Sequence, residues 1–231
     1  MVSAGGLNDN SDMDAEQINQ AIAAAFSSID DCRLLAGDIV DCVDALYPEE
    51  QVAVAQAIGR RQREFATGRT LARRLMGELG IAPAAIPRGA QRQPVWPAGV
   101  VGSLTHAERV AVAALATSAK CRALGIDIEI ADRVGPELYP KLFRPAELSA
   151  IDGDRRLAGL MFSAKEAGYK ATCALAPRFV AFRDAEIDID QEQQRFGFRY
   201  LGDHTPSAVM EEGSGRYLFC GPYVLSLFII R

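Results

Sequence analysis

The chain has 231 residues, of which 49% are hydrophobic and 24% are charged, and its net charge is −5. This composition is that of a globular protein with a substantial core. No apolar run is long enough to cross a bilayer, and the negative net charge argues against broad nucleic-acid binding. The five cysteines are scattered and include no Cys-x-x-Cys pair, which predicts reduced thiols in a cytoplasmic protein rather than disulfides or a zinc site.

The first elements are read from residues 1–80. Residues 1–14 lack the basic and apolar regions of a signal peptide and are predicted to form a flexible leader. Apolar residues at helical spacing predict a short helix over 14–27, and a short strand is expected within 30–48. A long helix is predicted over 48–79, because proline suits its first turn and Gly80 suits its end.

Two arginines of this long helix lie on or beside its apolar stripe. At about 100° per residue, Arg69 falls about 20° and Arg61 about 60° from Ile58. One interpretation is that both side chains lie along apolar surface and extend to water. The other is that they reach into a cleft and hold phosphate. The opposite face is predicted to be solvated and carries Arg60, Arg63, Glu64, Arg74 and Glu78.

A proline-rich loop and two strands follow. Residues 81–97 contain four prolines and are predicted to be a loop that carries Arg88 and Arg92. Strands are predicted over 100–103 and 109–117. The turn between them would contain a histidine with hydroxyl neighbours. A histidine in a turn is usually just exposed, so this one gains a role only if phosphate lies near it.

The strand predicted over 120–130 has the most informative pattern in the chain. Its isoleucines alternate with Asp127 and Glu129, so the two carboxylates share one face, about 6–7 Å apart. Paired carboxylates on a strand suit a hard cation such as Mg²⁺. The plainer interpretation is a half-buried strand with a solvated acidic face.

The rest of the chain alternates helices and strands. Short helices are predicted over 136–142 and 145–151. In a longer helix over 154–174, Lys165 and Glu166 flank the buried stripe, within about 60° of it; flanking charges of this kind are common on structural helices. Four strands complete the chain, at 182–188, 195–201, 217–220 and 223–230. The last is strongly apolar and is predicted to be central in its sheet.

Taken in order, these pieces resemble the 4′-phosphopantetheinyl transferases. The strand sequence Gly-Ile-Asp-Ile-Glu is followed by Phe-Ser-Ala-Lys-Glu-Ala-Gly-Tyr-Lys, where the family usually has an aromatic residue, Lys-Glu-Ala and a second Lys. Each motif alone is weak, whereas the ordered set is specific and is most similar to the branch of the enterobactin synthetase transferase component. The family aromatic is often Trp and here is Phe162. The motifs are Arg61–Arg74, Pro94–Pro97, Gly102–His106, Gly125–Glu129 and Phe162–Lys170.

The resemblance implies an α/β (α+β) fold of two similar α/β halves related by a pseudo-twofold, with coenzyme A bound between them. The N-terminal half would cover residues 15–119, and the C-terminal half, with the metal site, residues 120–231. The implied Mg²⁺ ligands are Asp127, Glu129 and Glu166. The implied contacts to coenzyme A are Arg61, Arg69, Arg88, Thr105, His106, Lys165 and Lys170, of which Arg61 and Arg69 lie in the part of the family with the most variable pattern.

The implied activity is Mg²⁺-dependent transfer of the 4′-phosphopantetheine arm of coenzyme A to a serine of an apo acyl or peptidyl carrier protein, as in a holo-[acyl-carrier-protein] synthase. Adenosine 3′,5′-bisphosphate would be released, with Glu166, His106 and Lys170 as the catalytic residues. A monomeric cytoplasmic enzyme, serving siderophore or antibiotic biosynthesis, is expected. Two alternatives stay open: a metal-dependent nuclease, which the net charge disfavours, and a carrier-binding scaffold without activity, which the intact acids and lysines disfavour.

Overall fold

The computed structural model describes residues 13–176, 178 and 180–231, so residues 1–12 of the predicted leader lie outside the described residues. The helices are α1 (Ala15–Ala25), α2 (Pro48–Gln51), α3 (Gly59–Glu78), α4 (Tyr139–Leu142), α5 (Pro145–Ile151) and α6 (Arg155–Leu175). The strands are β1 (Arg33–Asp38), β2 (Val100–Ala107), β3 (Val110–Thr117), β4 (Ala123–Ile130), β5 (Ala185–Asp190), β6 (Arg195–Tyr200), β7 (Gly213–Cys220) and β8 (Tyr223–Ile230). Within the described part of the chain, none of the helices is both long and apolar enough to cross a bilayer.

The first half is a three-stranded antiparallel sheet in the order β1-β3-β2, covered by α3. The central strand β3 consists of small apolar residues and is buried up to Ala116, because both of its faces are covered. On one face it packs against Leu71, Leu75 and Met76 of α3. On the other it meets α1 and the second sheet.

The second half is a five-stranded antiparallel sheet in the order β4-β8-β7-β6-β5, with α6 across one face. The predicted central position of the last strand is confirmed, since β8 lies between β4 and β7 and is buried throughout. Asp154 caps α6 by accepting from the backbone N–H groups of Arg156 and Leu157. The helix approaches β4 so closely that a Cβ at Gly125 would collide with the carbonyl oxygen of Ala167.

The two halves repeat one topology. Each runs strand, long helix, hairpin: β1, α3, β2 and β3 in the first, and β4, α6, β7 and β8 in the second. In both sheets the second strand of the hairpin lies between the other two, and β5 and β6 extend the second sheet alone. The fold is therefore the predicted pair of similar α/β halves related by a pseudo-twofold.

A buried ion pair is repeated in the same way. Glu50, two residues after Pro48, accepts from the guanidinium of Arg73 on α3 at 2.8 Å. Glu147, two residues after Pro145, accepts from the ammonium of Lys165 on α6 at 2.8 Å. Each glutamate also binds a backbone N–H that follows its long helix, at Ile86 and Ile187. The pairs thus tie each long helix to the segments on both sides of it.

The halves meet where the edge strands β2 and β4 run side by side. The backbone N–H of Ile126 donates to the hydroxyl of Ser103 at 3.1 Å, and that of Ile128 to the hydroxyl of Thr105 at 3.3 Å. These hydroxyls take the place of carbonyl partners for an edge that would otherwise be unpaired. Side chains from both strands consequently face a common cleft.

Several predicted elements differ from the structure. The strands predicted over 182–188 and 217–220 are β5 (Ala185–Asp190) and β7 (Gly213–Cys220). The helix predicted over 48–79 is two helices, separated by turns over 52–58. The contact between Glu50 and Arg73 explains the break, because 23 residues of continuous helix would hold them about 35 Å apart. The strand predicted to end at residue 103 continues through Ala107, and only Glu108 and Arg109 form the turn.

Candidate active site

A cleft of about 470 Å³ lies between the halves. This is a typical volume for a small-molecule site. Seven residues predicted from the sequence line it: Arg61, Arg69, Arg88, Thr105, His106, Asp127 and Lys170. The remaining lining residues are Glu64, Phe65, Gly68, Arg92, Pro94 and Leu104.

The cleft is strongly cationic. Four arginines and Lys170 line it, against the carboxylates of Glu64 and Asp127, although the whole chain has a net charge of −5. Charges of one sign that line a cleft with low-dielectric walls focus the field and attract the opposite charge. The arrangement is therefore suited to a small molecule that carries several negative charges.

Asp127 connects the two halves at the floor of the cleft. One of its oxygens, Oδ1, accepts from the ammonium of Lys170 at 2.7 Å and from the hydroxyl of Thr105 at 3.1 Å. The ammonium also donates to the carbonyl of Ile126 at 3.1 Å. Asp127 is buried, so the plainer interpretation of this strand, a solvated acidic face, does not hold at this position.

His106, on β2, lies close to Arg61 and Glu64, which belong to α3. Its Nε2 is 2.7 Å from Nη1 of Arg61 and 3.4 Å from Oε2 of Glu64. A guanidinium can only donate, so Nε2 accepts and the ring proton lies on Nδ1. Burial lowers the pKa of His106, with Glu64 opposing the shift and Arg61 adding to it. The imidazole is accordingly neutral near pH 7.

Arg69 is buried, and contacts with its neighbours fix its side chain. Its Nε donates to the carbonyl of Ile86 at 3.2 Å, and its guanidinium carbon lies 3.5 Å from the centre of the Phe65 ring. Burial lowers the pKa of Arg69 to about 10, which leaves the group charged at neutral pH. Because these contacts fix the side chain in advance, little entropy is lost when an anion binds it.

Glu129 and Glu166 lie beside the cleft and are not among its lining residues. Burial raises the pKa of both carboxyls, and the negative charge of Asp127 raises them further. The three acids are therefore close enough to repel one another. Even so, in the part of the chain that the structure describes, no three His, Cys, Asp or Glu side chains are arranged as a set of metal ligands.

Lys165 is placed away from the cleft. Its ammonium donates to Glu147 and to the carbonyls of Leu142, Phe182 and Ala185, at 2.7–3.2 Å. The side chain is 3% exposed, and all of its donors are used within the second half. Lys165 thus joins α6 to the neighbouring segments. It contacts none of the other residues that were expected to bind coenzyme A.

Three further residues have places that the sequence does not predict: Glu64 and Arg92 line the cleft, and Glu147 binds Lys165 away from it. Glu64 was assigned to the solvated face of its helix, yet it is buried and in contact with His106. Arg92 is predicted only to be a basic residue of the proline-rich loop. Its position four residues after Arg88 was the sequence feature that could have indicated a place in the cleft. Glu147 had no signal of its own, because only the fold brings it to Lys165.

Two family models match the chain, one in each half. The family model of the 4′-phosphopantetheinyl transferase N-terminal domain matches residues 49–116, and that of the 4′-phosphopantetheinyl transferase superfamily matches residues 123–227. The 4′-phosphopantetheinyl transferase Npt of Nocardia iowensis is 37% identical over 63% of this chain and 67% of its own. Enterobactin synthase component D of Escherichia coli K12 is 34% identical over 68% of this chain and 80% of its own.

Among solved structures, the holo-[acyl-carrier-protein] synthase of Helicobacter pylori in complex with coenzyme A matches 47% of this chain and 99% of its own, with 15% identity and a TM-score of 0.37. The two sequence relatives are each more than 30% identical, and the match covers at least two thirds of their length. The family models match both halves of the chain in order. The chain therefore belongs to the 4′-phosphopantetheinyl transferase superfamily, with relatives that include enterobactin synthase component D.

Proposed function

We propose that this protein transfers the 4′-phosphopantetheine arm of coenzyme A to a serine hydroxyl of an apo acyl or peptidyl carrier protein. The reaction is Mg²⁺-dependent, releases adenosine 3′,5′-bisphosphate and is of the holo-[acyl-carrier-protein] synthase type. The observation that carries the proposal is the cationic cleft between the halves, which contains seven of the residues expected from the family resemblance. Coenzyme A, with a pyrophosphate and a 3′-phosphate, is the kind of polyanion that this cleft suits.

The phosphates are divided between two sides of the cleft. Arg69 and Arg88 belong to the first half alone and are proposed to hold the 3′-phosphate. Thr105 and Lys170 contact Asp127 at the junction, and His106 contacts Arg61 beside them; these four residues are proposed to hold the pyrophosphate. Lys170 and His106 then stabilise the charge that develops on the phosphate oxygens during transfer.

Asp127, Glu129 and Glu166 are proposed to hold Mg²⁺. Their chemistry fits the ion, because the negative charge of Asp127 raises the pKa of Glu129 and Glu166, and a hard cation that prefers oxygen ligands relieves this repulsion. When bound, Mg²⁺ neutralises pyrophosphate charge and makes adenosine 3′,5′-bisphosphate a better leaving group. The ammonium of Lys170 forms an ion pair with Asp127. When Asp127 binds a metal, this ammonium is free to contact a phosphate instead.

Glu166 is proposed as the base. Burial raises the pKa of Glu166 above its ordinary value, which makes its carboxylate a better proton acceptor. It takes the serine proton, directly or through one water, as the serine oxygen bonds to the β-phosphorus. The bond from that phosphorus to the bridging oxygen breaks, and the electron pair leaves with adenosine 3′,5′-bisphosphate. The nucleophile belongs to the carrier protein, so the enzyme mainly positions groups and neutralises charge.

The reaction is proposed to take place in the cytoplasm with the protein as a monomer. All five cysteines are free thiols, and three of them, Cys32, Cys121 and Cys220, are buried. Burial raises the pKa of these three thiols, which keeps them unreactive. Free, unreactive thiols of this kind are typical of proteins in a reducing compartment.

The test is a mass spectrum of an apo-carrier protein after incubation with this protein, coenzyme A and Mg²⁺. The carrier should gain the mass of one phosphopantetheinyl group, and the gain should disappear when coenzyme A is omitted or when its carrier serine is replaced by alanine. Acyl and peptidyl carriers should both be offered, each shown to be competent with an established transferase. If none of these competent carriers gains the group, the proposed function is wrong.

A further inference from the structure

The carboxylate of Glu64 lies where electrostatics alone would disfavour it. Glu64 lines the cleft that is proposed to bind coenzyme A, and it is only 7% exposed. A negative charge close to a bound phosphate is repulsive, and burial strengthens the repulsion. An acid in this position weakens the binding of a polyanion unless it does something for the residues that hold the ligand.

The contacts of Glu64 indicate what it does. Its Oε1 accepts from Nε of Arg60 at 3.0 Å, which anchors the carboxylate from the outer side. Its Oε2 accepts from Nη1 of Arg61 at 3.2 Å and lies 3.4 Å from Nε2 of His106. The same Nη1 of Arg61 lies 2.7 Å from that imidazole nitrogen. One carboxylate thus contacts two of the groups that are proposed to meet phosphate.

Arg61 needs such an anchor. Its side chain is 53% exposed, and a free arginine of this kind loses up to about 2 kcal/mol of rotamer entropy when it is fixed on a ligand. The remaining N–H groups of its guanidinium are not used by Glu64 or His106 in the hydrogen bonds described. A guanidinium held at one nitrogen, with its other donors open to the cleft, is arranged in advance for a phosphate.

We propose that Glu64 is a positioning residue of the phosphate site, whose carboxylate holds the guanidinium of Arg61 against the imidazole of His106. This inference rests on the proposed function and extends it to a residue outside the predicted set. The plainer alternative is that Glu64 only forms helix-surface ion pairs with Arg60, four residues away, and Arg61, three residues away, which contribute little.

The two explanations predict opposite signs for Glu64→Gln, which keeps the size of the side chain and removes its charge. As a mere ion-pair partner, its loss would leave the cleft more positive and coenzyme A would bind equally well or more tightly. As a positioning residue, its loss releases Arg61 from its place against His106, and coenzyme A binds more weakly. Glu78→Gln, an exposed glutamate at the end of the same helix, is the matched control.

The experiment is titration calorimetry with coenzyme A, without Mg²⁺ and without carrier protein. Glu64→Gln is expected to raise the dissociation constant about tenfold, a change that corresponds to one lost charged hydrogen bond, whereas Glu78→Gln should equal the wild type. An unchanged or lower dissociation constant for Glu64→Gln would overturn the proposal. Should Glu64→Gln fail to fold, Glu64→Asp keeps the charge but withdraws it by one methylene, and the same weakening is expected.

A second measurement does not depend on coenzyme A. The chain has two histidines, so the imidazole of His106 can be followed by NMR as the pH changes. The groups that act on it are Arg60, Arg61 and Lys170, which lower its pKa, and Glu64, which raises it. Glu64→Gln should therefore lower the pKa of His106 below the wild-type value. A wild type that binds no coenzyme A would refute the proposed function alone, and an unchanged pKa would still overturn the role of Glu64.

Discussion

Lys165→Ala tests the placement of Lys165 directly. If its ammonium contacts coenzyme A, as the family motif implies, the variant should bind the substrate poorly and unfold normally. The structure predicts the reverse, because the ammonium is buried among Glu147 and three backbone carbonyls. Removing it leaves a buried carboxylate and these carbonyls without their donor.

The size of the effect follows from these contacts. Breaking a buried ion pair from one side costs about 3–5 kcal/mol. Glu147 retains the backbone N–H groups of Arg144 and Ile187 as donors, at 2.7 and 2.9 Å, so we expect the lower end, about 3 kcal/mol. For a chain of this length, that loss lowers the melting temperature by about 6–12 °C.

The assay combines thermal unfolding, followed by circular dichroism, with calorimetric titration of coenzyme A well below the melting temperature. Lys165→Ala should melt early yet bind coenzyme A within about twofold of the wild type. Lys141→Ala, an exposed lysine on α4, should change neither quantity. The double variant Lys165→Met, Glu147→Gln should recover much of the stability, since it removes the uncompensated charge. Normal melting with weakened coenzyme A binding would refute the reasoning and return Lys165 to the substrate site.

Three further outcomes are expected. Asp127→Ala should abolish transfer, as shown by the carrier mass spectrum, and should alter the melting temperature only slightly, because its partner Lys170 is 27% exposed and can reach water; wild-type turnover at saturating Mg²⁺ would disprove the metal assignment. Wild type should bind dephospho-coenzyme A about one to two powers of ten more weakly than coenzyme A, a loss of about 1.5–3 kcal/mol. Among the variants Arg61→Ala, Arg69→Ala and Arg88→Ala, the one that removes the contact to the 3′-phosphate should bind the two ligands equally well. If all three variants still prefer coenzyme A, the 3′-phosphate is held by other residues. Burial lowers the pKa of His106, so on acidification the unfolded chain binds this proton before the folded protein does, and stability is lost as the pH falls from about 6.5 towards the lowered pKa. His106→Gln should therefore flatten this part of the plot of melting temperature against pH. An unchanged slope in this variant would contradict the lowered pKa of His106.

The local elements and the family can be read from the sequence. Helical and strand periodicity located most helices and strands, since those patterns depend on residues two to four positions apart. The ordered motifs identified the superfamily, and the family resemblance also named seven of the residues that line the cleft. These are properties of short segments, and short segments are what a sequence displays directly.

The partner of each charged side chain, in contrast, depends on the tertiary fold. Lys165 and Lys170 are five residues apart on one helix, yet one is buried against Glu147 and the other lies in the cleft against Asp127. Glu64 has the spacing of a solvated face, but β2 brings His106 over it. The repeated pair of Glu50 with Arg73 and Glu147 with Lys165 spans 23 and 18 residues. The energy of a buried charge depends on partners that distant parts of the chain supply, so helical spacing alone does not determine it.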